Sequence, residues 1–473
     1  MIKIGITGHR NLLYPNQVAS EIRLSLEYFK ALTNYTEENP TVVCISALAS
    51  GADLLFAEEA IRQGIRLNAM IPFNLDEYKK DFTAADIKRL NNVLEKSSSI
   101  IVQEATVQTQ QQRNEAYLQN GKKLVDVSDA IIAVWNKKPA AGMGGTADIV
   151  TYAKSKDKQL YIIEAKRNDE RNAFAGDVIQ DKFDLLDKKA VTYKKHRFEP
   201  AWISGIICGL LAVLSFAIKQ SFIETLTTSI VFLLSVSEIT FLFLSFILLT
   251  VFAKRWKNFF LLNRRNAEHL RTLLWYRNAG IPIPEIEFDD EHLDKEMLVI
   301  EKEMGNAIQK TGNLNNAKRM IWSLAQAQAE YHERVRIKPF EKKLKRMDVW
   351  LQIIKVIFFV VSPLSFIVDA IEYFYPGNNI TRNIPHSLLL FVGLVLPSFY
   401  AALEGIKYFG EWKRNIAVSK KMVKELEKAK KRILDCSTEN ALATESRLLR
   451  ETLEIENIDW TARFDEKEVG AVP

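Results

Sequence analysis

Four short segments in the first 150 residues fall where an α/β sheet places its ligand: Gly5-Ile6-Thr7-Gly8-His9-Arg10, Ser46 to Asp53, Pro72-Phe73, and Gly142-Met143-Gly144-Gly145-Thr146-Ala147-Asp148. Glycine lets a backbone come close to a phosphate, and Arg10 adds a planar set of charged donors. Ser50-Gly51-Ala52-Asp53 opens a helix whose first amides suit an anion. Arg113 supplies a second basic group for a ligand with two phosphates, and Asn114 follows it. Singly, each piece has a plainer reading: a glycine-rich turn is often only a turn, His9 can be structural, Asp53 can cap its helix, and Arg113-Asn114 can begin a solvated helix. In this order, each after an apolar strand, they favour a nucleotide or phosphosugar site built from Gly8, His9, Arg10, Ser50, Gly51, Asp53, Arg113, Asn114, Gly144, Gly145, Thr146 and Asp148. No catalytic set and no metal cluster stands out. Cys44, Cys208 and Cys436 are far apart and belong to no CxxC or Cys/His motif, which fits a reducing compartment.

The elements that must position these segments are legible. Apolar, β-branched runs at Lys3 to Thr7, Thr41 to Ser46, Leu67 to Ile71, Ser99 to Val102, Ala130 to Trp135 and Leu160 to Glu164 alternate with helical patterns such as Ala52 to Gln63 and Asn114 to Ser128. That alternation predicts an α/β fold with a Rossmann-like, doubly wound parallel sheet, whose ligand lies at the carboxyl ends of the strands. Pro72-Phe73 falls at one of those ends.

Beyond residue 165 the pattern changes. A charged helix is predicted from Phe174 to Arg197, followed by four apolar stretches at about 201–218, 228–253, 350–371 and 387–406. Each approaches the ~20 residues that cross a bilayer. Short connections pair them into two transmembrane helical hairpins, an all-α membrane region after the sheet. The predicted division is a nucleotide-binding domain over 1–165, a first hairpin unit over 170–330 and a second over 331–473. Lys188, Lys189, Lys194, Lys195 and Arg197 precede the first span, and comparable Lys/Arg clusters border the other three cytoplasmic flanks, whereas the tips carry only Lys219 and Arg382. By the positive-inside rule the expected protein is a multi-pass one of the inner membrane, with both termini and the pocket cytoplasmic. The N-terminus shows no cleavable signal, so the first span is expected to direct insertion. The net charge of +6 lies beside the apolar stretches and reads as a lipid-bilayer contact, not a nucleic-acid surface. A mean hydropathy of −0.08 averages these unlike regions. The two halves share an architecture, each ending in a basic helix with an Arg-Asn pair, Arg265-Asn266 and Arg414-Asn415. Glu238 sits inside the second span, where a carboxylate facing lipid is costly, so it is expected to face protein or water as a pore-lining group, an oligomer contact or a helix-to-helix hydrogen bond. Pro363 and Pro397 permit kinks in spans three and four.

The order Gly-Ile-Thr-Gly-His-Arg, Ser50-Gly51-Ala52-Asp53, Arg113-Asn114, Val127 to Trp135 and Gly144-Gly145-Thr146-Ala147-Asp148 resembles the SLOG superfamily of Rossmann-like proteins, over about a third of the chain. The hairpins, the basic helices and the ending from Leu448 to Trp460 resemble, by architecture, the SLATT two-span effector domains found with SLOG sensors in bacterial defence. The resemblance implies a sensor for a nucleotide-derived second messenger, of cyclic ADP-ribose or cyclic oligonucleotide type, made by a partner enzyme during phage infection. It implies ligand contacts at Gly8, Arg10, Ser50, Gly51, Asp53, Arg113, Gly144, Gly145 and Thr146, no further cofactor, and a homo-oligomeric membrane effector worked through the 174–197 helix. Phosphoribohydrolase relatives place a glutamate just after their Gly-Gly-x-Gly-Thr loop, whereas Ala147, Asp148, Ile149 and Val150 follow Thr146 here. Binding is therefore expected over turnover, and a membrane-anchored nucleotide N-glycosidase is the alternative.

Overall fold

The computed structural model describes residues 1–140, 142–168, 178–223, 225–284, 295–307, 313–375 and 386–466. It begins with β1 (Ile2–Gly8), α1 (Pro15–Leu32), β2 (Val42–Ser46), α2 (Ala52–Arg62), β3 (Arg66–Ile71), α3 (Leu75–Lys79), α4 (Ala84–Lys96), β4 (Ser99–Val102), α5 (Gln110–Val127), β5 (Ala130–Trp135), α6 (Thr146–Ser155) and β6 (Gln159–Glu164). All strand pairs are parallel and the spatial order is β4-β3-β2-β1-β5-β6. Winding proceeds outward from β1 to β4, then crosses back to place β5 on the other side of β1. This is the doubly wound α/β sheet expected from the alternating pattern, with its reversal of strand order between β1 and β5.

The central strands are buried on both faces, which explains their unbroken apolar sequences. Ile4, Ile6, Val42, Cys44, Ile45, Ile131, Ile132 and Val134 are all at most 3 % exposed. Gly5 is required where β1 passes α5, because a β-carbon there would press on Leu124, Ser128 and Ile131.

The rest is helical: α7 (Val178–Tyr193), α8 (Glu199–Phe222), α9 (Thr228–Ile247), α10 (Lys254–Ala279), α11 (Lys295–Ala307), α12 (Leu314–Tyr331), α13 (Lys338–Phe374), α14 (His386–Gly410), α15 (Trp412–Asp435) and α16 (Glu439–Glu466). Short π-helical stretches at Lys194–Phe198, Leu248–Ala253 and His332–Ile337 join α7 to α8, α9 to α10 and α12 to α13. Four helical stretches, Ile179–Phe222, Thr228–Ala279, Leu314–Val368 and Ser387–Asp435, contain segments long and apolar enough to cross a membrane. The beginning of the expected 174–197 helix, Phe174 to Asp177, and the tip residue Arg382 lie outside the described residues.

Two compact units emerge. The first gathers Met1–Asp181, Leu270–Gln328 and Leu426–Glu456, so that the sheet is joined by the end of α10, α11, most of α12, the end of α15 and much of α16. The second holds Lys182–His269, Ala329–Glu425 and Asn457–Pro473, and contains all four apolar segments.

Within the first unit, α12 closes the β6 edge of the sheet with side chains. Asn313 Nδ2 donates to Leu160 O at 2.7 Å, Asn316 Oδ1 accepts from Ile162 N at 3.0 Å, and Arg319 Nη2 donates to Ile162 O at 2.8 Å. Arg319 is 1 % exposed and also donates to Ser25 Oγ of α1 at 2.7 Å. Burial pushes its guanidinium below its ordinary range, opposed by Glu21 and by Tyr161 and Tyr28.

Within the second unit α8 packs on α9, α13 on α14, and α14 on α8. Gly205 lets α8 approach the end of α9 closely, since a β-carbon there would strike Leu249, and Ser245 Oγ donates to Gly205 O at 2.7 Å. Small residues of this kind are how apolar helices gain contact without a hydrophobic driving force between them. Lys219, expected at a hairpin tip, lies in the last turn of α8 and reaches Glu238 of α9 at 2.7 Å. Glu238 thus faces protein, paired with a cation from the neighbouring helix. Pro363 and Pro397 fall inside α13 and α14.

Candidate functional site

Open α/β sheets hold ligands in the crevice expected at the carboxyl ends of the strands where strand order reverses, which here is between β1 and β5. Its two banks are the loop after β1 and the loop after β5. His9 ties them together: its amide donates to Val134 O at 3.1 Å, and its Nε2 accepts from Asn136 N at 3.0 Å. That acceptor role fixes the neutral tautomer with the proton on Nδ1. His9 is thereby a brace of the crevice.

A second contact joins the β1 loop to α2. Gly8 abuts Ala52, and a β-carbon on Gly8 would collide with that of Ala52. Gly51 adopts φ 87°, ψ −123°, a region open essentially to glycine alone, and a β-carbon there would strike the carbonyl oxygens of His9 and Arg10. The first turn of α2 is partly engaged within the protein: Ala52 N donates to His9 O at 3.2 Å and Leu54 N to Ala49 O at 3.1 Å.

This packing brings Arg10 and Asp53 together. Asp53 is 5 % exposed, and burial pushes its carboxyl up to about 7, with Arg10 and the Ala49 amide pulling it back. Arg10 lays its guanidinium 4.8 Å from the Tyr117 ring centroid, a cation-π contact. Desolvation works against the Arg10 charge, but Tyr117, Tyr78 and Asp81 outweigh it and hold the group above its ordinary range.

The far wall is aromatic. Phe73, after β3, packs edge-on to Tyr78 and Tyr117 with centroids 5.6 and 5.4 Å away. Tyr78 donates to Ala47 O at 3.0 Å, and Tyr117 donates to Asp81. Arg113 stands behind that wall. Its Nε donates to Asp81 Oδ2 at 3.0 Å, its Nη1 to Glu77 Oε1 and its Nη2 to Glu77 O, both at 2.8 Å, while its plane stacks over Phe73. Those carboxylates hold the guanidinium above its ordinary range against the cost of desolvation. Arg113 is joined to Arg10 through Asp81 and Tyr117.

Around the glycine-rich loop, Gly144 has φ 81° and lies against Asn114 and Leu118 of α5. Asp148 accepts from Gly144 N at 2.9 Å, closing the loop on the start of α6, and Gly145 is the residue that caps α6 before Thr146. Asn114 accepts from Gln110 at 2.9 Å, and Ser50 donates to Asp86 of α4 at 3.0 Å. Among the sequence candidates, His9, Arg10, Gly8, Gly51 and Asp53 are thus assembled at one place. Gly144 lies against the turn of α5 that carries Asn114 and Tyr117, Ser50 turns to α4, and Arg113 serves the wall. Tyr78, Asp81 and Tyr117 were not anticipated. Tyr117 stands four residues after Arg113, on the same face of α5, and that spacing was the available signal.

Among the described residues no cluster of three or more His, Cys, Asp or Glu could hold a metal ion. No protein-family model and no curated protein matches the chain.

Proposed function

We propose that the chain is a membrane-anchored sensor whose α/β unit binds a nucleotide-derived messenger and whose apolar hairpins then compromise the membrane as a homo-oligomer. The observation that carries the reading is the set of groups gathered where strand order reverses. A strand-order reversal is bordered by Gly8 and Gly51, both excluding a β-carbon, with the Arg10 cation beside the Tyr117 ring. A phosphate would approach the glycine backbone and Arg10, beside the half-buried Tyr117 ring. The SLOG-like order of motifs supports the same ligand class, and the four apolar segments support a membrane-linked output.

A ligand changes the state of such a protein only if it binds one state better, and moving a state from rare to dominant takes about 5.5 kcal/mol of differential affinity. The test is ion leakage from cells with and without messenger. Leakage should appear with messenger and disappear in Arg10→Ala combined with Gly144→Ala; unchanged leakage in that variant would overturn the proposal.

A second reading rests on Asp53. Its carboxyl lies in the first turn of α2 beside Gly8 and Gly51, and burial raises it above its ordinary range, as a general acid for glycosidic-bond cleavage requires. This reading predicts release of free base from nucleoside monophosphates by the full chain, and its loss in Asp53→Asn.

A further inference from the structure

Charges are divided around α13 where it enters its apolar segment. Glu341 pairs with Lys420 Nζ of α15 at 2.8 Å, and Asp348 pairs with Lys407 Nζ of α14 at 2.8 Å. The cations between them in sequence that stand on an adjoining face, Lys342, Lys345 and Arg346, are exposed and have no acidic partner among the described residues. At about 100° per residue, Lys342, Lys345, Arg346, Val349, Ile353 and Val356 fall within an arc of about 100°. The three apolar members are 52, 42 and 62 % exposed. One open stripe thus runs from cations into apolar side chains, along a helix whose apolar part is long enough to cross a membrane.

A shallow groove of about 490 Å³ lies beside this stripe. Towards one end it is lined by Leu344, Lys345 and the two paired carboxylates, and towards the other by Val349, Gln352 and Ile353. Glu341 to Ile353 is about 18 Å along a helix axis. We propose that the stripe seats an anionic phospholipid of the surrounding bilayer, its phosphate against Lys342, Lys345 and Arg346 and an acyl chain along Val349, Ile353 and Val356. The excess of cations favours a headgroup of net negative charge over a zwitterionic one. Both carboxylates in the groove already hold a lysine, so they do not neutralise that excess. The apolar half of the stripe selects a lipid over free phosphate, which would leave Val349, Ile353 and Val356 uncovered. Each cation near an anionic headgroup contributes about 1 kcal/mol, which is roughly fivefold in occupancy.

The inference requires α13 to enter a bilayer but does not use the messenger reading. The three native cysteines are buried, so a fluorophore can be placed on full-length Val356→Cys, beyond the groove on the same face. The labelled protein is reconstituted in phosphatidylcholine vesicles that contain either brominated-chain phosphatidylglycerol or brominated-chain phosphatidylcholine. Phosphatidylglycerol should reach half-maximal quenching at a much lower mole fraction than phosphatidylcholine. Lys345→Gln should raise that mole fraction roughly fivefold. Lys343→Gln removes the same charge at nearly the same depth, but about 160° round the helix from Lys345, and should leave it unchanged. Equal quenching by the two lipids, or an equal effect of Lys343→Gln and Lys345→Gln, would overturn the proposal. Absence of quenching by either lipid would overturn it together with the bilayer placement of α13.

Discussion

Asp53 and Arg10 set the charge balance of the crevice, and Asp53 titrates in an accessible range. Its folded-state value, about 7, lies above the ordinary 3.8, so between roughly pH 4 and pH 7 the folded protein holds a proton that the unfolded chain releases. Folding is thus favoured below that window and loses stability as pH rises through it, by up to ~1.4 kcal/mol per pH unit for one carboxyl. Glu21, which burial raises to about 7 against the pull of Arg319, acts with the same sign in the same window. Chemical unfolding of Asp53→Asn across pH 4 to 8 should therefore show a shallower fall than the parent, with the Glu21 share remaining. An identical slope would mean that Asp53 is not buried as a titrating group. Glycine gives a second prediction at this scale. Gly51→Ala should cost more than the ~1–3 kcal/mol of a strained backbone, because it also meets two carbonyl oxygens, and thermal unfolding should separate it from Gly64→Ala, which has φ 70° and open space. These glycines and Arg10 were legible from sequence because turn chemistry leaves few substitutes. Tyr78 and Tyr117 were not, since an aromatic on a helix face reads as ordinary core, and Arg113 read as available because its partners Glu77 and Asp81 lie more than 30 residues away.

Elements divide in the same way. Every strand was visible as a β-branched run, and the four spans as apolar stretches, because each signal is local. The role of α12 was hidden. Asn313, Asn316 and Arg319 recur every third residue, which in sequence reads as the solvated face of an amphipathic helix. That stripe instead closes the edge of β6, and the buried Arg319 lies near Glu21 of α1. Arg319→Met removes a buried guanidinium together with its hydrogen bonds to Ser25 and Ile162 and should lower the unfolding free energy by about 1–3 kcal/mol. Glu21→Gln combined with Arg319→Met should recover part of the loss in a double-mutant cycle, and strict additivity would show that the two groups do not interact. β4 was misleading in the other direction: its apolar run reads as a buried strand, yet it is an exposed edge.

For the whole molecule, connectivity constrains topology independently of the basic flanks. The first compact unit is assembled from three stretches of chain, 1–181, 270–328 and 426–456, and each gap between them contains two of the apolar segments. Contacts such as Lys318 Nζ to Leu434 O at 2.9 Å and Arg319 to Ser25 bind all three stretches into one body. If each apolar segment crosses a bilayer once, two crossings per gap return the chain to the same side every time, as a single body requires. An odd number in either gap would tear the unit across the membrane. Which side that is remains the expectation drawn from the lysine and arginine flanking the spans, and labelling tests it. Thr227, between α8 and α9, and Ser437, between α15 and α16, are both exposed, and single crossings would put them on opposite sides. With the native cysteines buried, Thr227→Cys should react with a membrane-impermeant maleimide once the outer envelope is opened and the inner membrane left intact. Ser437→Cys should react only after the inner membrane is permeabilised. The reverse pattern would place the α/β unit outside, away from any cytoplasmic messenger, and labelling of both from one side would break the two-crossing rule on which the compact unit depends.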